Sequence, residues 1–358
     1  MRIRLLFAPL LLVGILALSS CSTLGYYSQA VGGHLDIMLR ARPLERVIAD
    51  EREPEPVRAK LRIALDARAF AAGKLGLPAN RSYERYADVG RPAVTWNVTA
   101  TPRFSVHPLE WCYPVAGCFN YRGYFSRNEA ERHAEQLRKR GFDVYVSGAS
   151  AYSTLGWFDD PLLSTMLRRS EAELVATLFH ELAHQKLYLP GDSAFNEAFA
   201  VAVAEEGVRR WFSGSEQYVK YLRSQERLRT VASRLVAART RLAALYAEDI
   251  PDTEKLTRKH ELLAQLLADY AQLKKDWGGY DGFDHWFPPD INNAHLALTA
   301  TYHELVPGFK ALLTLEGGDL ERFYAAARRL GKLARGERKR YLHAAMAQVN
   351  TEDLAAWP

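Results

Sequence analysis

Cysteine is scarce: three residues in a chain of 358. That excludes a disulfide-dense scaffold. It also excludes a Cys-rich zinc fold, because no second Cys or His pair stands at matching spacing to Cys112 and Cys118. There is no internal repeat and no low-complexity tract, so neither a solenoid nor a disordered chain is expected. Charge of one sign is in small excess, Lys plus Arg 47 against Asp plus Glu 42, net +5. The basic residues are scattered and not interleaved with aromatics, so nucleic acid is not an expected partner. The one long apolar run, Leu5 to Leu18, is too short to read as a transmembrane helix. What remains is 48% hydrophobic and 25% charged, an ordinary globular chain long enough for a catalytic domain with helical additions.

The N-terminus, "MRIRLLFAPLLLVGILALSSCS", has a basic start at Arg2 and Arg4, an apolar stretch, and small residues after it. That is the form of a signal peptide. Leu18-Ser19-Ser20-Cys21 also resembles the lipobox of bacterial lipoproteins. The resemblance implies that residues 1–20 are a leader and that Cys21 is acylated as a lipid anchor. Ser22 rather than Asp after the cysteine implies, by the same resemblance, the outer membrane of a Gram-negative cell, facing the periplasm. The alternative is a plain leader with an incidental cysteine. In an exported chain Cys112 and Cys118 meet an oxidising compartment. With Pro114 and Gly117 between them, they suit a small disulfide loop, two free thiols being the other reading.

Periodicity divides the rest. Residues 22–52 read as helix, with Ile37, Met38, Leu44, Val47 and Ile48 as its apolar face. A second helix follows "EREPEPVR", with Leu61, Leu65, Ala69 and Ala72 on one stripe. Residues 92–155 turn β-branched and aromatic around the helix "SRNEAERHAEQLRKRG", capped by Ser126 and Gly141: a small α/β layer. Helices then dominate. Residues 214–275 hold two long ones broken at "EDIPDTE", an antiparallel hairpin. The expected class is α+β, mostly helical. The expected plan is an N-terminal helical segment 21–90, an α/β catalytic core 91–212, the hairpin 213–280, and a C-terminal helical region 281–358 closing the site.

The chemistry lies in "TLFHELAHQKLYLPGDSAFNEAFAVAVAEEG". His180 and His184 are four apart, so one helical face presents both imidazoles to one ion. Glu181 beside them can reach a water on that ion. This is the H-E-x-x-H arrangement of zincins. Catalytic zinc takes three protein ligands and a water. Glu197, on a helix that reverses at Pro190-Gly191, is the favoured third ligand, with Glu205 and Glu206 behind it. Ser170 and Glu173 form a capping box at the start of the motif helix. Such a site has Glu181 as general base, with zinc and one further donor holding the oxyanion. Tyr302 is the chosen donor from a segment that also carries His295 and His303. The stretch "AYSTLGWFDDPLL" reads as a strand able to pair with a substrate backbone. Its Asp159 and Asp160 either meet a substrate amino terminus or one of them caps a helix beside Pro161. The bland alternative is two helices with a solvated His-Glu-His face.

The lipobox, "AYSTLGWFDDPLLST", "LFHELAHQKLYLPGDSAFNEAFA" and "NNAHLALTATY" together resemble the predicted zinc aminopeptidase family of Gram-negative lipoproteins, the Aminopep domain family. The resemblance covers about Tyr26 to Met346. At a broader level the site is similar to the gluzincins, the thermolysin-like group. That implies a zincin-like core, a bound Zn2+ on His180, His184 and Glu197, and Glu181 as base. Two departures stand out. The connection from His184 to Glu197 is shorter than in thermolysin-like enzymes, and Val201 stands where those enzymes often carry an Asp that orients a His. The Gly-x-Met-Glu-Asn string of well-known zinc aminopeptidases is absent. The expected function is a zinc metallopeptidase acting on peptide or protein substrates near an amino terminus. The rivals are a zinc endopeptidase and an inactive envelope binding lipoprotein.

Overall fold

The computed structural model describes residues 25–113, 117–154, 156–300 and 305–349. They are mostly helical with small sheets, the class read from the sequence. Helix α1 covers residues 25–40, followed by β1 (Arg42–Pro43) and α2 (Leu44–Ala49). The single helix expected over 22–52 is therefore two. Pro43 has no N–H to donate and drives Arg42 into extended backbone. Arg42 and Pro43 pair antiparallel with β2 (Arg85–Ala87), and α2 starts afresh behind the proline. Helix α3 (Glu55–Lys74) buries Leu61, Ala64, Ala67 and Ala71, so of the expected stripe Leu61 is buried while Leu65 and Ala72 are half-buried. Each i,i+4 step advances about 40° past a full turn, which carries Ala69 out to solvent.

The main sheet comprises β3 (Thr95–Pro102), β6 (Arg122–Tyr124) and β7 (Phe142–Ala149), with β4 (Trp111–Tyr113) and β5 (Gly117–Phe119) as a separate hairpin. Strand β3 lies between β6 and β7, antiparallel to both, in register with β7 from Thr95↔Ala149 to Pro102↔Phe142. Helix α4 (Arg127–Lys139) makes the crossover from β6 to β7. The Ser126 side chain caps it by accepting from the Glu129 N–H, and Gly141 at φ +85° turns the chain out of it. Its Ala130, Ala134 and Leu137 cover Val98, Ala100 and Val144. In the β4–β5 hairpin Cys112 and Cys118 lie opposite each other and are joined as a disulfide.

The stretch after β7 differs from expectation. Residues 151–154 and 156–160 are not a strand, and of this stretch only Leu162–Leu163 (β8) pair in a sheet, parallel to β2. Gly156 takes φ +83°, and the buried Asp160 carboxylate accepts from Ser153 Oγ and from Thr154 N–H and Oγ1. Those bonds fold the segment into a turn. No helix opens at Pro161 either, which removes the capping role considered for the two aspartates.

Helices α5 (Glu171–Lys186) and α6 (Ser193–Phe212) run side by side in the core. Close approach is bought by Gly207 on α6, where a Cβ would meet Phe179 at 2.4 Å and Leu75 at 2.8 Å. The hairpin is α7 (Glu216–Ala247) and α8 (Asp252–Asp276), and α9 (Asn293–Ala300), α10 (Val306–Leu315), α11 (Leu320–Gly331) and α12 (Arg335–Gln348) follow. One hydrophobic core runs from Ile37 to Leu342 and joins α3, α5, α6, α10 and α11. The hairpin has its own core, Leu235, Leu242 and Leu266 packing with Phe283, Phe287 and Ile291. Among the described residues no helix is long and apolar enough to cross a membrane.

Candidate metal centre

Helix α5 begins with the capping box that the sequence predicts: Ser170 Oγ accepts from the Glu173 N–H, and the Glu173 carboxylate accepts from the Ser170 N–H. With its start fixed, the 3.6-residue period puts His180 and His184 one turn apart on one face. Leu174, Val175, Leu178, Phe179, Leu182 and Ala183 occupy the buried side of the same helix. Residues 187–192 then reverse the chain. Asp192 caps α6 by accepting from the Phe195 N–H and is held by Arg338 at 2.9 Å. The buried Asn196 clamps the reversal: its Oδ1 accepts from the Leu189 N–H at 2.7 Å and its Nδ2 donates to the Leu189 carbonyl at 2.8 Å. Glu197, the next residue, is thereby turned back over α5.

His180, His184 and Glu197 converge. The two Nε2 atoms are 3.0 Å apart, Glu197 Oε2 is 3.3 Å from His180 Nε2, and Glu197 Oε1 is 3.6 Å from His184 Nε2. One ligand atom from each lies within 4.8 Å of the others, a group that could hold a metal ion. The rings stand at 90° to each other. Helices α5 and α6 alone build this group.

The electrostatics follow from burying these groups together. Burial and the neighbouring His180 hold His184 down at about 4, so its imidazole is neutral at ordinary pH. Burial also disfavours the charge on His180, but the contact with Glu197 outweighs it and raises that imidazole. Glu197 is lowered in turn: burial opposes its charge, and His180 overcomes that. Glu181 has no such partner. Burial, with the charges of Glu197 and Asp160, pushes it up to about 7 despite the nearby His180. A carboxyl at that value exchanges protons readily at neutral pH. His184 Nδ1 is buried with no hydrogen-bond partner among the described residues. Position 201, one turn after Glu197, is valine and offers that nitrogen no acceptor.

The other sequence candidates fall elsewhere. Glu205 is buried in an ion pair with Lys310 of α10, and Glu206 is fully buried between Arg209 at 2.7 Å and Arg210 at 2.6 Å. Neither joins the histidines. Asp159 is exposed and faces Arg81 at 3.7 Å. Asp160 is buried in its own hydrogen bonds, although its charge is felt at Glu181. His295 stacks on Tyr145 of β7 at 4.0 Å and accepts at Nδ1 from the Asn292 N–H. Tyr302, His303 and Cys21 lie outside the described residues.

Three residues at the site went unread in the sequence. Asn196 was legible in principle, as a helix-start asparagine beside the candidate ligand. Tyr188 stands just beyond the end of α5, its ring 6.2 Å from that of His184; burial raises its hydroxyl, and the charge of Glu197 adds to that. Tyr121 follows the disulfide hairpin. Burial raises its hydroxyl most, and the charges of Glu197 and Glu181 add to that. Nothing local signals Tyr121, since only the fold carries the residue after β5 to α5 and α6.

A family model described as "Putative aminopeptidase", Aminopep, matches residues 25–342. Among curated proteins and among solved structures nothing matches the chain.

Proposed function

Because the chain belongs to the Aminopep family, matched from residue 25 to 342, we propose that it is a zinc-dependent peptidase with His180, His184 and Glu197 as metal ligands. The observation that carries this reading is the convergence of two imidazole nitrogens and one carboxylate from two helices. Ligand atoms at about 2.0–2.2 Å from zinc in a tetrahedron stand about 3.3–3.6 Å from one another. The pairs here stand 3.0, 3.3 and 3.6 Å apart, the last two at different oxygens of Glu197, so the donor set fits the ion in kind and converges closely enough to close on one ion with small side-chain shifts. The two imidazole nitrogens at 3.0 Å can share a proton, and a metal ion would take its place.

Zinc held there lowers the pKa of a water toward about 7 and polarises a carbonyl. The chain's own residues do the rest. Glu181, pushed up to about 7 by burial, takes the proton from the attacking water and returns it to the leaving amine. Its place next to His180 on the same helix keeps it beside the ligands whatever the substrate. Tyr302 is the oxyanion donor proposed from the sequence, with Tyr121 and Tyr188 as the hydroxyls the fold brings to the cluster. An anchor at Cys21 makes the setting the periplasmic face of the outer membrane, with peptides or proteins as substrates.

The test uses the purified full chain, wild type beside Glu181→Gln. Bound zinc is quantified, and both are incubated with peptides carrying free or N-acetylated amino termini. About one zinc on each, with trimming of free peptides by wild type alone, supports a zinc aminopeptidase. Cleavage of acetylated peptides makes it an endopeptidase. Zinc without any cleavage leaves a binding protein, and no zinc at all removes the reading. Tyr302→Phe and Tyr121→Phe then decide the oxyanion donor by which of them loses kcat with KM unchanged.

A further inference from the structure

Helix α1 has two apolar faces, and only one is used by the body of the protein. On the inner face Ile37 is fully buried and Gly33 is so close to Phe125 that a Cβ would meet its ring at 2.1 Å. Gln29 Oε1 accepts from the Phe125 N–H at 2.9 Å, and Tyr26 stacks on Tyr113. The outer face carries Tyr27, Val31, Leu35 and Leu39, one per helical turn, 41%, 58%, 51% and 86% exposed. Its polar neighbours are nearly uncharged until Arg40, which pairs with Asp36. Beside this ridge stand Trp157 and Phe158, 77% and 55% exposed. Phe158 lies 4.8 Å from the ring of His34, the residue before Leu35, so the two aromatics continue the ridge. Large apolar side chains grouped in this way on an outer surface mark an interaction site.

We propose that Tyr27, Val31, Leu35 and Leu39 of α1, with Trp157 and Phe158, seat the protein on the surface of a lipid bilayer. Two observations favour lipid as the occupant. Cys21, the residue read as acylated, stands four residues before Gly25, a reach of at most about 14 Å of extended chain, so a membrane holding an acylated Cys21 lies within reach of α1. The ridge carries exposed aliphatic residues flanked by Trp, Phe and Tyr, the chemistry of interfacial helices and aromatic belts. With no spanning helix among the described residues, α1 lies along the interface rather than through it. The loop of the seat also packs on the motif helix: a Cβ at Gly156, just before Trp157, would touch Gln185 of α5 at 3.6 Å.

The test reads depth and not activity, so it stands apart from the peptidase reading. The full chain, purified from membranes, is reconstituted on vesicles of phosphatidylethanolamine and phosphatidylglycerol with or without bromine on the acyl chains. A thiol-reactive fluorophore is placed on Leu35→Cys and, as control, on Lys139→Cys of the exposed α4 surface. The parent chain treated with the same dye gives the background from Cys21. The Leu35→Cys probe is expected to lose most of its emission on brominated vesicles while the Lys139→Cys probe keeps its own. A second probe on Trp157→Cys is expected to be quenched as well, and to recover in a chain that also carries Val31→Asp and Leu39→Asp, with circular dichroism verifying the fold. A Leu35→Cys probe that stays as bright as the control overturns the proposal. So does a probe that is quenched by a second labelled copy and not by bromine, which makes the ridge a dimer contact.

Discussion

Two of the buried polar clusters among the described residues are built on opposite terms. Between the hairpin and the main sheet, Lys259 of α8 donates to Asp143 Oδ2 at 2.5 Å and to the Arg103 carbonyl at 3.0 Å. The Asn293 N–H also reaches Asp143, its Nδ2 donates to the Arg103 carbonyl, and its Oδ1 accepts from the Tyr246 hydroxyl. There each of these donors meets an acceptor, and the network ties α7, α8, α9 and β7 to the loop after β3. Between α5 and α6 the balance is incomplete: the imidazoles meet only each other and Glu197, His184 Nδ1 has no partner among the described residues, and Glu181 is pushed up to about 7. A cluster made for stability neutralises its charges. One that leaves them mismatched is suited to receive a cation and to move a proton.

The sharpest break of this comparison is between two glutamates on α6. Glu197→Gln is expected to lose the metal and with it all turnover, while the fold stands. Glu205→Gln is expected to keep the metal and lose stability, because it breaks the buried ion pair with Lys310, a change that costs about 3–5 kcal/mol. Zinc content and urea unfolding on both variants give the answer, and loss of metal from Glu205→Gln alone would exchange their roles. Close behind comes Lys259→Met. It leaves the half-buried Asp143 carboxylate with only the Asn293 N–H, with an expected loss of about 2–4 kcal/mol and little change in kcat. The double change Lys259→Met with Asp143→Leu should recover much of that loss. If it does not, the network does more than balance charge.

Gly207→Ala should lower stability by about 1–3 kcal/mol, because the new methyl meets Phe179 and Leu75 where α5 and α6 touch. Any shift of α6 also moves Glu197, so zinc affinity should fall with it, and a titration checks this. His295 supplies the pH arm. Burial lowers it from 6.5 to about 4, so the folded chain holds it neutral while the unfolded chain protonates first. Its stability is complete above about pH 6.5 and is lost as pH falls toward about 4. At pH 5 the loss is about 2 kcal/mol against pH 8. Urea midpoints for wild type and His295→Gln should converge on acidification, and parallel curves would remove the effect. Smallest of all is Asp159→Asn. Its exposed contact with Arg81 is worth under about 1 kcal/mol, so thermal unfolding should barely move. A rise in KM for peptides with free amino termini would then mark Asp159 as a substrate contact.

Much of the site could be read from the sequence because its signals are local. The capping box at Ser170 and Glu173 sets where α5 starts, and the four-residue spacing sets which face His180 and His184 share. The Pro190-Gly191 turn announces a reversal. Other features depended on distant partners. The segment 151–160 has strand-like composition, but Asp160 gathers Ser153 and Thr154 into a turn, and no periodicity reports a carboxylate closing on its own loop. The first helix split at Pro43, where β2 offered a partner to the extended Arg42. The α3 stripe was drawn partly on the wrong residues, because composition alone does not say which side of an alanine-rich helix meets the core.

Local sequence determined the helix carrying HELAH, the turn after it, the class of the fold and the two long helices of the hairpin. Each is set by short-range spacing, capping and hydrophobic period. Tertiary structure decided which carboxylate meets the histidines, because Asn196 fixes the turn that aims Glu197 while Lys310 claims Glu205. It also brought Tyr121 toward the cluster and left the outer face of α1 bare, since a residue's neighbours across the fold are set by packing that no short stretch of chain encodes.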